Sequence, residues 1–178
     1  QEACKCSLHI TLTPGSLPSY LNDLVMQTME DSGKELDPLV KIGLVSNFRY
    51  TRSSFASGSD HAEFVVQPAR VPCVSFTQWP DRFYHSSMDT IDMVSEESLR
   101  RAGWTCAMVA LKISDADQRT AAQLANLTCS RGSARIAEAS AVASQELHAL
   151  AGHPDGKDIA LRLAKVARHH RMRIQHIV

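Results

Sequence analysis

Net charge is what this chain lacks most plainly. Nineteen Lys and Arg residues are matched by nineteen Asp and Glu, so no overall field draws it to nucleic acid or to an anionic membrane. No apolar run approaches the ~20 residues needed to cross a bilayer, which predicts a soluble chain without a membrane partner. An initiator Met and a signal peptide are both missing, and Gln1 is expected to follow a trimmed or processed boundary. Internal repeats and low-complexity linkers are missing too; Gly152 to Gly156 is the one plausible hinge. Cys4-Lys5-Cys6 has the look of half a metal site, but no second pair follows at zinc-finger spacing. Two ordinary thiols near a strand is the plainer reading. Cysteines at 4, 6, 73, 106 and 129 make an odd count, with Cys73 and Cys106 inside apolar runs. That favours reduced thiols and a cytoplasmic setting.

What is present fits one globular domain with an appendage. Hydrophobic residues are 44% of the 178, the usual globular mixture. From Ser7 to Thr13 the chain alternates, Leu8, Ile10 and Leu12 on one side, which predicts a strand. Helical spacing of Leu21, Leu24, Val25 and Met29 predicts a helix over 17–31, with Pro18 in its first turn and Gly33 as its stop. Gly43 to Thr51 reads as a second strand, Asp60 as the cap of a short helix to Val66, and Pro72 to Phe76 as a buried strand. Ser95 followed by Glu96 and Glu97 starts a helix, because a hydroxyl and two carboxylates suit its free N–H groups. Leu99, Ala102, Cys106, Val109 and Ile113 form its expected buried stripe. Three further helical stretches follow Asp115, marked by Ala121 and Leu124, by Ile136 to Leu150, and by Ile159 to Ile177. The fold class is therefore α/β, with an α/β layer over residues 1–115 and a helical extension over 116–178. The last stretch gathers His169, His170 and His176 with Arg162, Lys165, Arg168, Arg171 and Arg173. It reads most simply as a solvated basic face.

Candidate chemistry concentrates between Gly58 and Thr90. His85 sits in a loop after an apolar strand, the edge of an α/β sheet where ligands usually bind. Neutral imidazole is the commonest metal ligand, and it works best when its second nitrogen donates to a carboxylate. Asp60 and Asp89 are the candidates for that carboxylate. Taken alone, a loop histidine is more often a surface hydrogen-bonder, and spacing leaves the choice open.

The residues themselves go further. Gly58-Ser-Asp-His-Ala-Glu-Phe64, then Val71-Pro-Cys73, then Tyr84-His-Ser-Ser-Met-Asp-Thr90 resembles the C-terminal half of the zinc-dependent exopeptidases. That superfamily includes bacterial aminopeptidases, glutamate carboxypeptidases and the transferrin receptor. Leu17-Pro-Ser-Tyr-Leu-Asn-Asp23 is similar to a subgroup with extra C-terminal helices. The resemblance implies a partial exopeptidase (phosphorylase/hydrolase-like) sheet-and-helix layer. It also implies aminopeptidase chemistry on peptide substrates, with two zinc ions polarising the carbonyl and activating a water. By the same resemblance His85 is a zinc ligand, and Tyr84 is the catalytic phenol that donates to the oxyanion. Asp60 and Asp89 stand behind the ligands, while Trp79, Arg82 and Phe83 are read as lining the substrate pocket.

The family's remaining parts are a His-x-Asp pair, a Glu-Glu pair holding the general base, and a further ligand Asp. Nothing like the Glu-Glu element precedes residue 57, and the ligand Asp is expected just upstream of Gln1. The chain is thus expected to be a C-terminal fragment that binds zinc weakly and lacks peptidase activity alone. A half-sheet with an unpaired edge is expected to form a homo-oligomer or to cover itself with its own helices. The transferrin-receptor branch leaves open a second role, a non-catalytic binding or oligomerisation module.

Overall fold

The computed structural model describes residues 7–37, 41–43, 48–151, 164, 165 and 168. Cys4 and Cys6, the Gly152–Gly156 hinge and most of the last helical stretch with its basic cluster lie outside them. The chain divides into two compact units, residues 1–124 and 125–178.

The first unit is a three-stranded sheet with helices on one face. In chain order its elements are β1 (Ser7–Thr11), α1 (Leu21–Leu36), β2 (Tyr50–Ser53), α2 (His61–Val65), β3 (Ser75–Trp79), a 3₁₀ turn (Ile91–Met93) and α3 (Glu96–Ser114). The long α4 (Gln118–Ala151) follows. β1 is central, with β2 parallel on one side and β3 antiparallel on the other. The alternation predicted for β1 holds. Leu8 and Ile10 turn inward and are buried with Leu24, Val25 and Met29 of α1 and Val109 of α3. Burying each such aliphatic side chain contributes roughly 1.5–3 kcal/mol. His9 turns to the opposite face, beside Thr51 and Thr77 in the strand register. The sheet's apolar face is thus covered by the chain's own helices, and β2 and β3 are its edges among the described residues.

Several boundaries move from their sequence positions, each for a physical reason. The helix predicted to stop at Gly33 continues to Leu36. Glycine costs about 1 kcal/mol in a helix interior, but Gly33 faces the Arg101 guanidinium, 3.7 Å from where a Cβ would sit. Tertiary packing carries the helix through. Its start is Leu21, after Pro18, and Asn22 ties it to the exit of β1. The Thr13 N–H donates to Asn22 Oδ1 (3.0 Å), and Asn22 Nδ2 donates to Thr13 Oγ1 (2.7 Å). The second strand is Tyr50–Ser53, with Gly43 in a left-handed turn at φ 83° and residues 44–47 outside the described set. The third starts at Ser75 and is only partly buried, because it is an edge strand. Asp60 precedes α2, yet its side chain makes no capping hydrogen bond.

Ser95 does cap α3, its Oγ accepting from the Ser98 N–H at 3.3 Å. The buried face of α3 differs from the apolar stripe read in the sequence. Ser98, Arg101, Thr105 and Val109 point inward, whereas Leu99, Cys106 and Ile113 are exposed. α1 explains this, since it presents Thr28, Met29, Ser32 and Gly33 rather than an apolar ridge. Thr105 Oγ1 donates to Met29 Sδ, and Arg101 pairs with Asp37 at 3.2 Å, both charges buried. The same guanidinium lies 4.2 Å over the Phe48 ring and donates through Nε to Glu97. Three neighbours, Asp37, Glu97 and Phe48, thus satisfy one buried cation, as burial of a charge requires.

α4 replaces two expected stretches with one helix, capped by Asp117, whose Oδ1 accepts from the Thr120 N–H at 2.7 Å. No proline interrupts residues 118–151, and Gly132 is carried within the helix. In the second unit Ala139 is buried and Ile136 is partly exposed. No helix among the described residues is long and apolar enough to cross a membrane.

Candidate functional site

The loop after β3 is built by its own short polar side chains. Asp81 Oδ1 accepts from the Phe83 N–H at 2.8 Å, a turn that Asp forms readily just after a proline. Ser86 donates its hydroxyl to the Phe83 carbonyl (2.6 Å) and accepts from the Met88 N–H (3.2 Å). Backbone bonds from Ser86 to Phe83 and from Asp89 to Ser86 tighten the curve, and Met93 N–H to Thr90 O opens the 3₁₀ turn. Within this curve His85 takes the left-handed conformation, φ 56°, which is uncommon outside glycine.

The consequence is a ladder of rings at the surface. Tyr84 stacks on His85, with centroids 3.8 Å apart and planes 17° from parallel. Tyr84 also meets Trp79 edge-to-face, at 6.0 Å and 85°. Aromatic pairs of this kind contribute about 0.5–1.5 kcal/mol beyond area burial. Tyr84 and Trp79 are each 53% exposed, so the ladder is open to a ligand. The structure therefore brings Trp79, Tyr84 and His85 together. Arg82 is exposed, and Phe83 turns the other way, into a groove against α3. Asp60 sits exposed before α2, and Asp89 lines the groove beside Phe83. Neither carboxylate is hydrogen-bonded to His85.

A co-catalytic zinc pair does not fit the donors described. No three His, Cys, Asp or Glu side chains come together to hold a metal among the described residues. The His85 ring has no carboxylate hydrogen-bonded to it among the described residues to fix its tautomer. Cys73 is the half-buried thiol of the apolar segment leading into β3; burial pushes its pKa up, away from the thiolate a metal would take.

Two groups near the sheet were not singled out by sequence reasoning. His9 Nδ1 lies 2.7 Å from Thr51 Oγ1, and Nε2 lies 2.9 Å from Ser53 Oγ. Ser53 donates its hydroxyl to the Ser54 carbonyl, so it accepts from His9 Nε2–H and the Thr51 hydroxyl donates to Nδ1. Only the strand register reveals that cluster. The other is Asp81, whose signal was available: an Asp after Pro80, two residues ahead of Phe83, is an Asx-turn pattern.

A mixed sheet layered by helices on its apolar face, with a Tyr-His loop leaving the end of an edge strand, is consistent with a peptidase-like α/β domain. The chain belongs to peptidase family M28, whose model matches residues 22–110, half of the chain. That span covers α1 through most of α3 and includes the whole ring ladder. Neither the curated proteins nor the solved structures provide a match.

Proposed function

We infer that this chain carries the tyrosine-histidine loop of a zinc aminopeptidase acting on peptide N-termini. The observation that supports this most is the stacked Tyr84–His85 pair, held open at the surface inside the family-matched span. In this reading His85 is a metal ligand and Tyr84 the phenol that donates to a developing oxyanion. Trp79 flanks the phenol. The other donors and the general base come from residues beyond those described, since one imidazole cannot replace three protein ligands and a base. The polypeptide alone is thus expected to bind zinc weakly and to leave aminoacyl-arylamides intact. Zinc content after dialysis, with arylamide hydrolysis, tests both statements. Stoichiometric zinc with turnover would sink them.

A second reading is a binding module that lodges in an oligomer. One observation favours it: Trp79, Tyr84, Met88, Ile91, Val94 and Leu99 form a run of exposed large side chains along the loop and the first turn of α3. Runs of this kind mark interaction surfaces. Sedimentation velocity separates the readings, because a monomer across micromolar concentrations leaves the oligomer without support. Peptide substrate, reduced cysteines and a cytoplasmic setting belong to the first reading.

A further inference from the structure

The groove beneath the loop shares Phe83 and Asp89 with the peptidase reading, but the rest of its lining has no part in it. Phe76 and Leu8 form its sheet side, Leu99 and Ala102 its helix side, and Phe83 and Met93 close it, giving a volume of about 290 Å³. That is the small end of ligand pockets, ~300–1,000 Å³, and suits one side chain rather than a larger molecule. Thr77, Gln78, Ser95 and Ser98 add neutral polar groups, Gln78 Nε2 donating to Ser98 Oγ at 3.4 Å, and two carboxylates, Asp81 and Asp89, complete a lining that holds no Lys, Arg or His. The Asp81 Oδ1 atom is committed to the Phe83 N–H. Asp89 uses only its backbone N–H, toward Ser86, and its carboxylate has no partner among the described residues. The arginines on the adjoining turn of α3 do not neutralise the groove. Arg100 is bound to Glu97, and Arg101 to Glu97 and Asp37.

A largely apolar cleft that carries two carboxylates and no cation in its lining selects an occupant with an aliphatic stem and a cationic end. A small hydrated metal ion gains nothing from the apolar walls. An acidic or neutral side chain leaves the carboxylates uncompensated. Long basic side chains have both parts, burying their methylenes while the charged head stays at the polar rim. We propose that this groove receives the side chain of a lysine or arginine residue in a peptide. The inference rests on the peptidase reading only in taking a peptide as the carrier of that side chain.

The test uses the full chain, ¹⁵N-labelled, without zinc. Capped tripeptides Gly-Lys-Gly, Gly-norleucine-Gly and Gly-Glu-Gly are titrated, following the backbone amides of Leu8, Phe76 and Ala102. The lysine peptide should bind roughly five- to tenfold more tightly than the norleucine peptide, the range two partly exposed ion pairs can supply. The glutamate peptide should bind most weakly. D89N and D81N should each shrink the lysine preference, and Asn at 81 still offers the Phe83 N–H an acceptor. Equal binding of lysine and norleucine peptides overturns the proposal. So do shifts confined to other residues, a preference that survives both substitutions, or free butylammonium binding as tightly as the lysine peptide. The wild-type comparison decides the matter even if a variant fails to fold. No readout depends on metal or turnover, so failure here leaves the peptidase reading standing, and failure of zinc-dependent hydrolysis leaves this one standing.

Discussion

Between α1 and α3 the Arg101 and Asp37 charges are inside and paired, whereas from Trp79 to Val94 most large apolar groups are outside and short polar side chains serve the backbone. Arg101, Thr105 and Ser32 lie in the interior, while Trp79, Tyr84 and Ile91 face solvent. The first region behaves as a scaffold, where removing one partner strands another. The second behaves as a display surface, where a side chain can change without consequence for the fold. Stability and recognition are thus carried by different residues, although α3 contributes to both: its inward face holds the scaffold, and Leu99 and Ala102 line the groove.

The comparison breaks most sharply at Arg101. Arg101→Ala leaves the Asp37 carboxylate buried without its guanidinium and should cost about 3–5 kcal/mol in urea unfolding. A loss below about 1 kcal/mol would mean that the interior pair is not the scaffold described. A smaller effect sharpens the comparison at Glu97. Burial alone would raise its pKa, but hydrogen bonds from Arg101 and Arg100, together with their charges, outweigh this and hold it below the ordinary glutamate range. A depressed folded pKa adds stability above the unfolded pKa, and that stability is lost as pH falls through the folded value. The gap in urea midpoint between wild type and Glu97→Gln should therefore be constant above about pH 5 and narrow below about pH 4, the unfolded carboxyl titrating near ~4.3. A gap independent of pH would refute the assignment. At the display surface, Leu99→Ala should shift stability by no more than about 0.5 kcal/mol, and Tyr84→Ala by about 0.5–1.5 kcal/mol through its lost ring pairs. A loss of 2 kcal/mol or more at Leu99, about what a core leucine shows, would restore the apolar stripe that the sequence suggested.

That stripe shows where sequence reading runs out. Periodicity counts apolar residues and assigned the buried face of α3 to Leu99, Ala102, Cys106, Val109 and Ile113, of which Val109 is buried and Ala102 packs against the core. The face that packs is set by what α1 and Asp37 offer, a long-range circumstance invisible in a local window. Local signals fared better: the alternation of β1 and the Ser95 cap both hold, because each is complete within a few residues. The strands at either edge slipped by several residues, since edge pairing depends on β1 rather than on their own pattern. At the candidate site, the loop and its Tyr84–His85 pair were legible through resemblance, and the family match covers them. The ladder with Trp79 and the inward turn of Phe83 were not, because both follow from the φ 56° backbone at His85 and the turn at Asp81.

The central position of β1 also sets a schedule for folding. Its hydrogen-bonding partners lie at residues 50–53 and 75–79, so the strand is finished on both sides only when Trp79 has been made. Contacts of such sequence separation form late, because loop closure must come before any reward. At ~5–20 residues per second, a ribosome leaves Leu8 and Ile10 without a complete sheet for on the order of several seconds. During that interval the residues destined for the centre of the core are the ones most in need of a chaperone.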